Sequence, residues 1–154
     1  MPYQPRGKYF EDFETGQELA TPARTITETD IVNFANLTWD TNPMHTDAEY
    51  GKTTMFGERV AHGLLGLSYT AGLGWQLGFL EGTVIAFMGL EWKFKAPVKI
   101  GDTVRATVKV KQKKEMKAAG GGLVILEMRL LNQRDEVTQQ GDWTVLVKAR
   151  GQGV

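Results

Sequence analysis

The sequence contains no cysteine. That excludes a disulfide scaffold, a thiolate nucleophile and a cysteine-ligated metal, and it agrees with a reducing cytoplasm. Net charge is missing too, since 18 lysines and arginines balance 18 aspartates and glutamates. No overall field therefore points to nucleic acid or to a membrane surface. Internal repeats, low-complexity tracts and linkers are absent, and the start, Met1-Pro2-Tyr3-Gln4-Pro5-Arg6-Gly7-Lys8, is too polar for a signal peptide. The expectation is a compact cytoplasmic chain whose 154 residues form one domain, 1–154, with a real core.

The balanced total hides an asymmetry. Residues 1–50 carry nine acidic and three basic side chains, whereas residues 93–117 carry nine basic and two acidic ones. The positive segment reads either as the solvated face of a long strand or as a landing surface for a polyanion such as the phosphates of a nucleotide-bearing cofactor. An RNA site fits less well, because stacking aromatics do not interleave the lysines.

Hydrophobic periodicity changes along the chain in an informative order. Residues 16–27 read as a first strand, and Thr27-Glu28-Thr29-Asp30 resembles a capping box opening a helix that buries Ile31, Phe34 and Ala35 and stops near Thr38. A short helical turn is expected within residues 47–55. Residues 61–80 contain no Asp, Glu, Lys or Arg, so by length alone they are a membrane-span candidate. Gly63, Gly66, Gly72, Gly74 and Gly78, with His62, Ser68 and Gln76, favour a buried helix that lets a sheet approach closely. Strands follow. Met88, Leu90, Trp92 and Phe94 alternate with Gly89, Glu91, Lys93 and Lys95, and Val104, Ala106, Val108 and Val110 alternate with polar residues, so each strand should have one dry face. Gly120-Gly121-Gly122 marks a turn. After it Val124, Leu126, Met128 and Leu130 share a face, and Val145, Val147 and Ala149 close the last strand. The fold class is α+β, a curved antiparallel sheet around one long central helix.

Chemistry-bearing residues concentrate in Asp40-Thr41-Asn42-Pro43-Met44-His45, with His62-Gly63-Leu64-Leu65 and Ser68 beginning seventeen residues after His45. Asn-Pro favours a turn, which puts Asp40 and His45 on a loop rather than on one helix face. An acid and an imidazole held on one loop can share a water molecule, the carboxylate accepting a proton and the imidazole shuttling one, as adding or removing water requires. Other motifs fail on context. Gly72-Leu73-Gly74 with Gly78 lacks a surrounding βαβ unit, Ser68 lacks the second glycine of a nucleophile elbow, and Asp40, His45 and His62 match no compact helical metal motif.

Together with Phe94-Lys95-Ala96-Pro97-Val98-Lys99-Ile100-Gly101-Asp102-Thr103, these two stretches resemble the MaoC-like, R-specific enoyl-CoA hydratases of the hotdog fold, over about residues 9–149. The resemblance implies a hotdog, with a sheet wrapped around a helix from Gly63 to about Gly78, and a homodimer or dimer-based higher oligomer with sites near the subunit interface. Carried over by position, Asp40 and His45 would be the catalytic pair, Gly63 would offer its backbone N–H to the thioester oxygen, and Ser68 would give a supporting hydrogen bond. Asn42 and His62 would support the loop and the turn before the helix. The substrate would be an acyl-CoA, with coenzyme A as part of it and no separate cofactor or metal. Acyl carrier protein is the close variant; a hotdog thioesterase and a non-catalytic acyl-CoA binding module are the other readings. Trp39 departs from the small residue common before the aspartate, and its ring would narrow the acyl tunnel or pack against a partner. Residues 74–80, with Trp75, Leu77, Phe79 and Leu80, lie where the family shapes the acyl pocket, although a buried core would look the same.

Overall fold

The computed structural model describes residues 2–151; Met1, the first residue of the polar start, and residues 152–154 lie outside the described residues. Two short strands, β1 (Glu18–Ala20) and β2 (Arg24–Thr25), precede helix α1 (Glu28–Thr38). Three more helices follow, α2 (Pro43–Thr46), α3 (Ala48–Thr53) and α4 (Gly63–Gln76). Strands β3 (Val84–Phe94), β4 (Thr103–Met116), β5 (Gly121–Leu131) and β6 (Val137–Lys148) complete the chain. All strand pairs are antiparallel, in the order β1-β4-β5-β6-β3 with β2 also on β4. The sheet curls around α4 in the hotdog arrangement. Among the described residues no helix is long and apolar enough to cross a membrane.

The sequence pattern explains most of this. In β4 and β5 the alternation holds to the letter, with Val104, Ala106, Val108 and Val110 buried on one strand and Val124, Leu126, Met128 and Leu130 on its neighbour. Thr27 caps α1 through a reciprocal box with Asp30. Asp30 then does more than cap. It is buried and accepts from the Thr27 N–H and hydroxyl, from Tyr69 Oη of α4 at 2.6 Å and from Arg24. Burial alone would raise its pKa, but the donors from Tyr69 and Thr27 and the Arg24 charge outweigh that and hold the carboxyl below the usual range. Tyr69, half-buried and donating to this carboxylate, is pushed up to about 12.

Four expectations need correction. The first strand is broken in two: Thr21 still donates its N–H to the Ala106 carbonyl at 2.9 Å, but residues 21–23 belong to neither β1 nor β2, and Pro22 has no N–H to give. The glycine triplet is not all turn. Only Gly120 takes a positive φ, whereas Gly121 and Gly122 belong to β5, where a Cβ would lie 1.9 Å from the Val147 carbonyl oxygen and 2.3 Å from the Phe10 ring. The last strand ends at Lys148, one residue before Ala149. Most consequential, β3 has no dry face in the single chain, since Phe87, Met88, Leu90 and Phe94 are all exposed. The reason is topological: β3 is an edge strand whose register with β6 shifts twice, so one flank has no neighbour.

The positive segment is partly neutralised within the chain. Arg105 pairs with Asp135, Lys109 with Glu18, Lys111 with Asp142 and Lys99 with Glu58. Lys113 donates to the Phe10 and Phe13 carbonyls. Ion pairing between strands on a solvated face accounts for Lys109 and Lys111.

Candidate active site

His45 reaches its place through a helix one turn long. Asn42 caps α2 by accepting from the Met44 N–H at 3.2 Å, and Pro43 occupies the first helical position, where its fixed φ and missing N–H cost nothing. His45 therefore lies in a short helix rather than in the loop expected for it, while Asp40 does lie on the loop before it. The loop is braced by its own side chains. Thr46 Oγ1 bonds the Thr41 and Asn42 carbonyls, and the Asp40 carboxylate accepts from the Asn42 N–H at 3.4 Å.

The His45 ring is buried, with Nδ1 2.7 Å from the Val60 carbonyl oxygen. A carbonyl only accepts, so Nδ1 carries a proton, and Nε2 is the nitrogen that serves as base in the neutral ring. His62 is held the same way, its Nε2 2.8 Å from the Asp40 carbonyl oxygen. The two imidazoles stack, ring centroids 3.9 Å apart and planes inclined by 30°, and Phe34 packs on His62 from another side at 5.0 Å. Burial holds the His62 imidazole below its ordinary pKa, and the adjacent His45 adds to this, against the pull of the Asp40 backbone and carboxylate. A neutral His62 thus ties the Asp40 loop to the start of α4.

One ligand-capable atom each of Asp40, His45 and His62 falls within 4.8 Å of the others. That is a spacing one water molecule can bridge, with a hydrogen bond of about 2.8 Å to each side. The trio could also offer donors to a cation. However, the two rings meet face to face, whereas metal ligation uses the lone pair in the ring plane.

His45 and Gly63 line one cavity of about 390 Å³, with Met44, Phe56, Phe94 and Gln139 among its walls. Asp40 is exposed and is tied to this cavity through its closeness to His45. Gly63 is the first residue of α4, so its N–H has no partner within the helix and sits at the positive end of the helix dipole. A Cβ at Gly63 would lie 2.8 Å from the Phe94 ring, so glycine is needed here for packing as well as for access.

Ser68 does not join this wall. Its hydroxyl donates to the Leu64 carbonyl at 2.8 Å, and it lies exposed on the outer stripe of α4 with Leu64 and Trp75. Trp39 is 88% exposed and ends α1 at a left-handed φ of 65°, so its ring narrows nothing within this chain. Gly74, Trp75, Phe79 and Leu80 line a second, apolar cavity of about 220 Å³, walled on the sheet side by Met128 and Trp143, while Leu77 packs into the core. Sequence reasoning overlooked the Val60 carbonyl that fixes the His45 tautomer, and it overlooked Gln139. A glutamine within a strand that otherwise alternates gives no local signal; its partners lie far away in the chain.

A sequence model of the MaoC like domain matches residues 12–125. The chain is 42% identical to an (R)-specific enoyl-CoA hydratase of Rhodospirillum rubrum over 150 residues, 93% of this chain and 94% of that one. It is 41% identical to a 3-hydroxybutyryl-CoA dehydratase of Methylorubrum extorquens over 104 residues, 66% of this chain and 63% of the relative. Among solved structures, a monoamine oxidase regulatory protein from Archaeoglobus fulgius superposes with a TM-score of 0.88 at 37% identity, covering 96% of this chain and 99% of that one.

Proposed function

This chain belongs to the MaoC-like domain family, and on that premise we propose that it reversibly adds water to a 2-enoyl-CoA thioester to give a (3R)-hydroxyacyl-CoA. A hydro-lyase role is what its hydratase and dehydratase relatives carry. The observation that bears most weight is the buried His45 imidazole, held by the Val60 carbonyl with a ring nitrogen within 4.8 Å of an Asp40 carboxylate oxygen, on the wall of a cavity that Gly63 at the start of α4 also lines.

In this reading the pair of Asp40 and His45 holds one water and takes a proton from it as the oxygen bonds to C3. The electron pair of the C2–C3 double bond moves toward the thioester carbonyl, whose oxygen becomes enolate-like. The Gly63 N–H stabilises that oxygen at the positive end of α4. The proton held by the pair passes to C2, so one water is added and the pair returns to its starting state. Dehydration is the same path reversed. Asn42 and His62 act on the geometry, not on the substrate: the first caps α2, the second anchors the Asp40 carbonyl. The chemistry needs no metal and no cofactor beyond the coenzyme A of the substrate. A thioester on acyl carrier protein would present the same reacting atoms.

We further propose that two copies associate. The exposed apolar flank of β3 (Phe87, Met88, Leu90, Phe94) and the exposed α4 stripe with Leu64 and Trp75 support this, since an open apolar sheet edge next to an apolar helix face is a surface that association would cover. Ser68 lies on that stripe, so its supporting role would have to be exercised toward the second copy.

The test is loss of enoyl-thioester absorbance on mixing the protein with crotonyl-CoA, with chiral analysis of the product. The 3R-hydroxyacyl product is expected. Release of free thiol in place of hydration would move the assignment to a thioesterase.

A further inference from the structure

Helix α4 begins in an unusual way for this chain. The other three α-helices each have a side chain closing their first turn, Thr27 for α1, Asn42 for α2 and Asp47 for α3, whereas His62 at the start of α4 makes no side-chain cap. Its first residue is glycine, and a second glycine follows at position 66. An uncapped start with glycine in it should fray, because glycine fixes its own backbone poorly and the first N–H groups are unpaired. Yet this turn is the one asked to hold a hydrogen-bond donor still.

The sheet supplies what the helix lacks. Gln139 of β6 is 2% exposed and lies on the cavity wall beside Gly63. Its Nε2 donates to the Gly63 carbonyl at 3.1 Å, and its Oε1 accepts from Trp92 Nε1 at 3.0 Å. These partners fix the orientation of the carboxamide without ambiguity, since an indole N–H only donates and a carbonyl only accepts. Two glycines make room for the chain of contacts. A Cβ at Gly66 would lie 2.3 Å from Gln139 Nε2, and a Cβ at Gly141 would lie 1.8 Å from the Glu91 carbonyl oxygen and 2.8 Å from the Trp92 ring. Gln139 also stands opposite Phe94 in the β3–β6 ladder, the residue whose ring packs on Gly63.

We propose that Gln139, oriented by Trp92, is the positioning residue for the donor turn of this site, clamping Gly63 so that its N–H meets the thioester oxygen as negative charge develops there. The inference rests on the reading of Gly63 as that donor. Gln139 acts through Gly63, so its loss should appear in the chemical step and not in ground-state binding.

The experiment compares Gln139→Met, Gln139→Glu and Trp92→Phe with the parent. Gln139→Met keeps the side-chain length and loses both bonds. Gln139→Glu keeps an acceptor for Trp92 and loses the donor to Gly63. Three quantities are read: kcat and KM on crotonyl-CoA, the Kd of saturated butyryl-CoA, and the enolate absorbance of bound acetoacetyl-CoA, which reports stabilisation of an oxyanion without turnover. Both Gln139 variants should lower kcat by roughly tenfold or more, the order that small misplacements of catalytic groups cost. The bound enolate fraction should fall with it, while butyryl-CoA affinity stays within about twofold. Trp92→Phe should cost less on its own and nothing further in the Gln139→Met background, because the relay would already be broken. Folded Gln139 variants with parental kcat and parental enolate absorbance would overturn the proposal. If Gln139→Met does not fold, Gln139→Glu decides alone. A parent that hydrates no enoyl thioester would instead sink the reading of function beneath it.

Discussion

Replacing Gly63 with alanine adds one methyl group at a crowded point of the cavity wall. Its carbon would lie 2.8 Å from Phe94 Cε1 and 2.9 Å from Cδ1, whereas carbon atoms rest about 3.5–4.0 Å apart. The Phe94 ring must therefore retreat by about 0.7 Å or more to reach ordinary contact. It can do so, because it is 56% exposed on an edge strand. Overpacking of this kind costs about 1–3 kcal/mol in a closed core; a ring free to swing outward should keep the cost near the bottom of that range. The gain of alanine over glycine in a helix, roughly 0.5–1 kcal/mol, offsets part of it. Net stability should fall by less than about 1 kcal/mol, which for a chain of this length is a Tm change of roughly 2–4 °C at most. Activity should suffer far more, because the same ring lines the cavity and the methyl group stands beside the donor N–H. A loss of roughly ten- to hundredfold in kcat is expected. The assay pairs thermal unfolding with crotonyl-CoA kinetics, and the double variant Gly63→Ala/Phe94→Ala separates the causes. If the ring is at fault, the double variant recovers to the level of Phe94→Ala alone; if the methyl group itself blocks the donor, it does not. Parental kcat in Gly63→Ala would refute the crowding argument.

Asp40→Asn and His45→Gln should each lower kcat on crotonyl-CoA by orders of magnitude with the far-UV spectrum unchanged, and near-parental turnover in either would remove that residue from the mechanism. His62 predicts a pH dependence of stability. Its folded pKa is depressed, so the unfolded chain takes up the proton first, near pH 6.5; the full contribution is present above that pH and is lost as pH falls toward the lower folded value. Denaturant titrations should show stability declining from about pH 6.5 downward, and His62→Phe should flatten that limb; a variant with the parental slope would place its origin elsewhere. Trp39→Gly should raise the Tm of dilute protein by about 2 °C, since a left-handed conformation costs a non-glycine residue roughly 1–2 kcal/mol and the exposed ring packs on little in this chain. A lower Tm would mean that the ring is held by something outside the chain.

The parts of the fold that could be read from the sequence are those whose signal is local and whose surroundings are complete. Thr27 and Asp30 sit three residues apart and form their box whatever the rest of the chain does. The alternation of β4 and β5 was readable because both strands have neighbours on each side and a helix on one face, so each inward residue is buried. The same alternation in β3 promised a dry face that a single chain does not provide. Periodicity says which residues share a face, not whether anything covers it. His45 was misplaced for a related reason. Pro43 restricts Asn42 before it to extended backbone, but it is also a favoured first residue for the helix after it, and that second effect carries His45 into α2.

The site divides along the same line. Asp40, Asn42 and His45 lie within one short stretch, and their chemistry announces itself. What holds them and faces them is scattered: Val60 fixes the His45 tautomer from fifteen residues away, and Gln139 reaches Gly63 across 76. The glycines of α4 show how far local reading can go. Five glycines in one uncharged run suggested close approach by a sheet, but not which of them are approached. Gly63 and Gly66 open space for Phe94 and Gln139, whereas Gly72 faces nothing within 4 Å. Gly63 and Gly66 are separated by about one helical turn, so they share the face that meets the ends of β3 and β6. Gly72 lies on the exposed side of the helix with Ser68 and Trp75. Among the described residues no partner requires a glycine at that position. If a second copy packs there, Gly72 is where its backbone can come nearest, and a larger side chain at Gly72 should weaken association while leaving the fold of the single chain intact.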